Sequence, residues 1–200
     1  MAHPATRGQY RGIVPKPSRA HRRPDVTVVD LIGGTEKRDL VVVDPDPTWP
    51  LTYLHHERRI SAALGSDAVA IEHIGSTSVP GLAAKPIIDI VVVVDDITAE
   101  EDYLPQLNAT GYQLRVREPG HRVVRTPQLD VHVHILEAGN PQIGEYLLLR
   151  DHLRRDEPDR DLYARTKRRL AAQDWPDMNA YADAKTGVIT QIKERARNKQ

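Results

Sequence analysis

The chemistry of this chain is concentrated where a strand-like run ends in Gly75-Ser76-Thr77-Ser78, a tight turn whose hydroxyls and backbone N–H groups are equipped to hold phosphate oxygens. Beyond it, Asp89 sits inside the apolar run Ile87 to Val94, where a carboxylate costs several kcal/mol unless it is paired, metal-bound or turned toward a polar cleft. Lys85 lies between the two and offers a charge to phosphate or to Asp89. A second set stands on Leu129 to Ile135. Period two places Asp130, His132 and His134 on one face there, and Leu129, Val131, Val133 and Ile135 on the other. The imidazoles either converge on one ion or phosphate, or form the wet side of a half-buried strand. His73, beside the turn, either joins the site or caps the strand end. Arg150 falls within the apolar stripe of its helix, so that it and Lys167 could reach a triphosphate from the helical side, with Arg122 and Arg125 as further phosphate contacts. Tyr163 and Tyr181 read as core aromatics with a wet hydroxyl.

These groups need elements to hold them. Leu40 to Val43 is β-rich and is stopped by Asp44-Pro45-Asp46-Pro47; Trp49-Pro50 then opens a helix that carries Tyr53, Glu57, Ile60 and Leu64 to a stop at Gly65. Val69 to Ile74 and Ile87 to Val94 predict strands, the second apolar at nearly every position and therefore central. Thr98 and Glu101 have the spacing of a capping box, but Pro105 means that this helix is kinked or begins near Tyr103. Gln113 to Arg117, Val123 to Arg125 and Leu129 to Ile135 alternate as strands, the last two joined as a hairpin through Thr126-Pro127-Gln128. After Gly139-Asn140-Pro141, apolar stripes over Ile143 to Leu153, Leu162 to Leu170 and Met178 to Ile192 predict helices. The order implies an α+β fold: a mixed β-sheet with flanking helices and a C-terminal helical bundle.

Composition narrows the classes. The 200 residues carry 28 Lys+Arg against 28 Asp+Glu and no Cys, which removes disulfides and thiolate metal sites. Zero net charge argues against nucleic-acid binding through a broad basic field and leaves only a local basic groove. No apolar run approaches the roughly 20 residues of a membrane helix. The first residues lack a secretory core, so the cytoplasm is the expected compartment. Residues 1–24 read as a flexible basic arm and 25–39 as an edge segment in which Val26 to Ile32 forms a short strand or helix; 40–197 read as a single domain.

The Gly-Ser turn followed by an Asp in an apolar strand resembles the signature of the nucleotidyltransferase superfamily. More specifically, His73-Ile74-Gly75-Ser76-Thr77-Ser78-Val79-Pro80-Gly81-Leu82 with Lys85-Pro86-Ile87-Ile88-Asp89-Ile90 is similar to the hallmark of the GrpB family, whose domain is also found fused to dephospho-CoA kinase. The likeness extends through Asp44-Pro45, Trp49-Pro50, His132-Val133-His134, Arg150 to Arg154, Tyr163, Lys167, Tyr181 and Lys185. The resemblance implies a nucleotidyltransferase-like fold, a nucleoside triphosphate as ligand, and Mg²⁺ or Mn²⁺ as cofactor. Gly75, Ser76, Thr77, Ser78, Lys85, Arg150 and Lys167 would hold phosphates, and Asp89, Asp130, His132 and His134 the metal; Asp89, His134 and Lys85 would be catalytic. The superfamily pairs two carboxylates on the Asp-bearing strand, whereas the second position here is Val91. The expected activity is transfer of a nucleotidyl group to an acceptor. A non-catalytic nucleotide-binding module and a metal-dependent hydrolase using Asp89, Asp130, His132 and His134 are the competing readings.

Overall fold

A computed structural model describes residues 21–199. The strands are β1 (Asp30–Leu31), β2 (Ala70–Ile74), β3 (Ile88–Val94), β4 (Gln113–Glu118), β5 (His121–Arg125) and β6 (Val131–Glu137), and the helices are α1 (Trp49–Leu64), α2 (Leu104–Ala109), α3 (Pro141–Arg155), α4 (Glu157–Ala171), α5 (Met178–Asp183) and α6 (Thr186–Asn198). One mixed sheet has the order β1-β4-β5-β6-β3-β2, with β3 and β6 parallel and every other neighbour antiparallel. The β3–β6 register sets Asp89 opposite His132 and Val91 opposite His134.

Strand alternation divides these residues between two faces. Ile88, Ile90, Val92, Val131, Val133 and Ile135 point to one face and pack with Trp49 and Ile60 of α1 and Leu107 of α2. On the opposite face, Ile74, Val91, Val93 and Leu136 pack with Ile143 and Leu147 of α3. Asp89, His132 and His134 share this second face. A third cluster, Val79, Leu82 and Ala83 with Leu153, Tyr163 and Ile192, fastens the loop after the Gly-Ser turn to the C-terminal helices. The helices therefore roof the end of the sheet where Asp89 emerges.

Several expectations change in detail. Leu40 to Val43 is no strand; only Val43 bridges, to Ala84, because the segment meets a loop rather than a sheet edge. Val26 to Ile32 yields the two-residue β1, paired with Arg117 and Val116. The capping box is not formed, since the Thr98 hydroxyl donates to Asp96, and α2 begins at Leu104 with Pro105 in its first turn. Leu129 has φ +63°, so the β5–β6 turn runs through it and β6 starts only at Val131. The third stripe splits into α5 and α6 before Thr186. The basic arm lies outside the described residues except for its end: His21 contacts Glu137 (2.8 Å), Arg22 contacts Asp102 (2.6 Å) and Arg23 contacts Glu101 (2.5 Å). No described helix is long and apolar enough to cross a membrane.

Candidate functional site

A cleft of about 550 Å³ opens between the second face of the sheet and the C-terminal helices, a size suited to a ligand of nucleotide dimensions. Gly75, Ser76, Lys85, Asp89, His132, His134, Arg150 and Lys167 all line it, so most of the expected residues meet in one place. Gly75 is required by geometry. Its φ is +69°, and a Cβ there would run into the Asp89 carboxylate, so only a bare backbone lets the turn lie against the aspartate.

The other expected residues are used differently. The Thr77 hydroxyl donates to the Ile87 carbonyl (3.0 Å) and contacts His73 Nε2 (3.1 Å); Ser78 donates to the Gly75 carbonyl (2.6 Å). Both are buried, which leaves Ser76 as the hydroxyl on the cleft side, hydrogen-bonded with Tyr163. His73 stacks on Tyr53 across the opposite face, so it braces the turn from behind. Asp130 lies in the β5–β6 turn, exposed, and accepts from Thr126 (2.6 Å); the left-handed Leu129 removes it from the strand and from the cleft. Arg150 lines the wall, but its guanidinium donates to Glu72 (2.8 Å), Asp151 (2.8 Å) and the His73 carbonyl (2.9 Å), which ties α3 to β2. Arg122 is buried on Asp25 and Glu100 and is no phosphate contact.

Asp89 lies between two imidazoles, with His132 Nδ1 at 3.7 Å and His134 Nε2 at 3.8 Å from Oδ1. Burial alone would raise its pKa, but the His134 and His132 rings and Lys185 bring it below the ordinary carboxylate value. Burial lowers His132 to about 4, so it is neutral near pH 7. His134 heads a relay: its Nδ1 faces His121 Nε2 at 3.0 Å, and His121 Nδ1 faces Glu118 at 2.5 Å. The chain Glu118–His121–His134 fixes the orientation of the His134 ring and turns its Nε2 toward Asp89 and the cleft. Tyr146 packs on the other side of the His134 ring, 5.7 Å between centroids.

Cations dominate the opposing wall. Lys85 and Lys185 lie over the Tyr181 ring at 5.0 and 4.5 Å, and Lys167 lies over Tyr163 at 4.6 Å. Burial first, then the neighbouring Lys185 charge, pulls Lys85 to about 8 and Lys167 to about 7. At the far end, Arg125 grips Glu36 with two hydrogen bonds (2.9 and 2.6 Å), Arg38 shares the same carboxylate, and Arg115 stands 3.5 Å from it. Arg125 and Arg38 hold Glu36 at about 2. The Tyr181 hydroxyl is buried in the cleft wall without a hydrogen-bond partner among the described residues. Glu36, Arg38, Arg115, Glu118, His121 and Tyr146 escaped the sequence reading, because their roles arise from strand pairing and helix docking that no local pattern announces.

A metal pair of the superfamily type does not fit these residues. Val91 is fully buried among apolar side chains, and Asp130 is elsewhere. Among the described residues, the donor sets that converge are His21, Asp96 and Glu137, and His152, Asp156 and Asp159, neither of which includes Asp89.

The mixed sheet, the Gly-Ser turn against the Asp-bearing central strand and the helical roof define an α+β domain with its cleft at one end of the sheet. Within that class the chain belongs to the GrpB family: the model described as GrpB protein matches residues 39–195. A UPF0157 protein of Streptomyces coelicolor is 63% identical over 90% of this chain and 96% of its own length. The crystal structure of GrpB from Enterococcus faecalis superposes with a TM-score of 0.71 at 30% identity, covering 80% of this chain and 98% of that one. A shorter stretch, 36% of this chain and 18% of the relative, is 38% identical to the dephospho-CoA kinase of Mycolicibacterium paratuberculosis.

Proposed function

We propose that the cleft binds a nucleoside triphosphate and that the domain passes its nucleotidyl group to an acceptor hydroxyl. The observation that carries this reading is the contact of Gly75 with Asp89, which brings the Ser76 turn, a lone carboxylate and a lysine-lined wall to one opening. In this reading the lysine wall receives the polyphosphate and Ser76 positions it. His134 Nε2 takes the acceptor proton, and the adjacent Asp89 carboxylate stabilises the imidazolium that results. The acceptor oxygen then bonds to the α-phosphorus, the bond to the β-phosphate oxygen breaks, and pyrophosphate leaves onto the lysine wall. Lys167 and Lys185 assume the role that Arg150, held by Glu72 and Asp151, does not fill. A hydrolase centre on Asp89, Asp130, His132 and His134 finds no support once Asp130 is placed in the turn. Incubation with labelled triphosphates and a panel of hydroxyl and amine acceptors tests the reading. Release of pyrophosphate with label on an acceptor supports it, and its loss in His134→Gln supports the proton-acceptor role. Tight binding with no turnover against any acceptor would leave a nucleotide-binding module, and no binding would remove the nucleotide altogether.

A further inference from the structure

Building on the triphosphate reading above, we propose that Lys85, Lys167 and Lys185 hold the polyphosphate without a divalent ion, taking over the charge neutralisation that a metal pair performs where this strand carries two carboxylates. Three independent features of the cleft support this.

The first is what stands where metal ligands would be. Val91, two positions beyond Asp89 on the same face, packs with Ile74, Leu136 and Leu147 and offers no donor. His132 and His134 each approach one oxygen of Asp89, at 3.7 and 3.8 Å, but the three do not form one of the convergent donor sets among the described residues. The second is the placement of the lysines. Tyr181 lies between Lys85 and Lys185, and Tyr163 backs Lys167 while bonding Ser76, so the ammoniums and the Ser76 turn form one continuous wall. Aromatic faces hold the ammonium positions, Lys167 Nζ also donates to the Ala83 carbonyl, and Asp89 is the carboxylate whose charge acts on all three, so the lysines outnumber it and leave positive charge for an anion. The third is the orphaned Tyr181 hydroxyl, buried in that wall and aimed at no protein acceptor among the described residues. A phosphate oxygen would satisfy it. Burial of all three lysines, and the repulsion of Lys85 and Lys167 by Lys185, add to this, since an anion relieves both.

Calorimetric titration of inorganic triphosphate and of ATP, in EDTA and in excess Mg²⁺ or Mn²⁺, tests the proposal. The expected result is binding in EDTA within about threefold of the affinity seen with metal, and a loss of about tenfold or more in Lys185→Gln and in Lys85→Gln, as for removal of a charge-assisted hydrogen bond. Thermal melts of both variants separate lost contact from lost fold, and either variant alone suffices. Binding that requires Mg²⁺ or Mn²⁺, or wild-type affinity in both folded variants, overturns the lysine proposal while the triphosphate reading stands. Binding under neither condition removes both.

Discussion

Gly75 and the lysines it faces across the cleft decide most of the chemistry, and each has a measurable signature. Gly75→Ala places a Cβ at φ +69°, ψ −173°, a region that essentially only glycine enters and that costs about 1–3 kcal/mol by itself, and pushes it into the Asp89 carboxylate as well. Urea denaturation should show at least that loss; unchanged stability would mean that the turn can move off Asp89. The lysines predict a pH dependence. With Lys167 near 7 and Lys85 near 8 in the folded cleft against 10.5 for a free side chain, the unfolded chain holds more protons over this window. The lysine contribution to stability therefore rises with pH from about 7 toward 10 when no ligand is added. A bound anion has the opposite sign because it requires the charged ammoniums. Triphosphate affinity should fall between about pH 6.5 and about pH 9, with proton uptake on binding detectable as a buffer-dependent heat. A flat profile would place the anion away from these lysines.

At the scale of elements, Arg150 is the joint between α3 and β2. It is 5% exposed and divides its donors between Glu72, Asp151 and the His73 carbonyl. Arg150→Ala strands those acceptors and should cost about 2 kcal/mol or more, whereas Lys185→Gln should leave the denaturation midpoint almost in place. Equal effects of the two would deny Arg150 its structural role. This joint also marks where the sequence stops being informative. Gly75, Ser76, Lys85, Asp89, His132 and His134 are legible because a turn chemistry and a period of two are local properties, whereas Lys167 is reached only through its match to a family position. The stripe position of Arg150 points correctly to burial, but not to the Glu72 and Asp151 that hold it. Asp130 fails for a different reason: one left-handed residue, Leu129, moves the start of β6, and alternation counted from the sequence then includes a turn residue. Thr77 and Ser78 fail because the short helical turn over Ser76–Ser78 directs their hydroxyls back onto main-chain carbonyls. Arg125, expected as a phosphate contact, instead donates to Glu36, and its grouping with Glu36, Arg38 and Arg115 is not legible because it joins a segment ahead of the domain to β4 and β5.

For the whole molecule, the described segment before β1 acts as a strap, and among its residues Asp25 is the anchor. The contacts of His21, Arg22 and Arg23 are exposed and contribute little each. Asp25 differs, since it accepts from Arg122, which is 2% exposed, and from the Gly120 N–H. Burial works against the Asp25 charge, but the Arg122 and backbone hydrogen bonds outweigh it and hold its pKa low. Removal of residues 1–24 should therefore leave the melting temperature nearly unchanged, while extending the deletion through Asp25 should cost about 1.5–3 kcal/mol. A large drop already at the shorter deletion would show that residues before Asp25 carry stability of their own.

The parallel pairing of β3 with β6 also governs the order of events in time. The β4–β5 and β5–β6 hairpins close locally, whereas β3 must wait for the chain to return beside it, and pairing between distant segments is slow. Asp89 meets His132 and His134 only through that pairing, so a half-folded chain carries the histidines without their carboxylate. A ligand held as proposed above would therefore find its site complete only once that pairing has formed. On the triphosphate reading, the ligand should slow unfolding followed by the fluorescence of Trp49 and Trp175; an unchanged refolding rate would place the assembly of the site after the barrier, and a faster one would place the β3–β6 pairing within it.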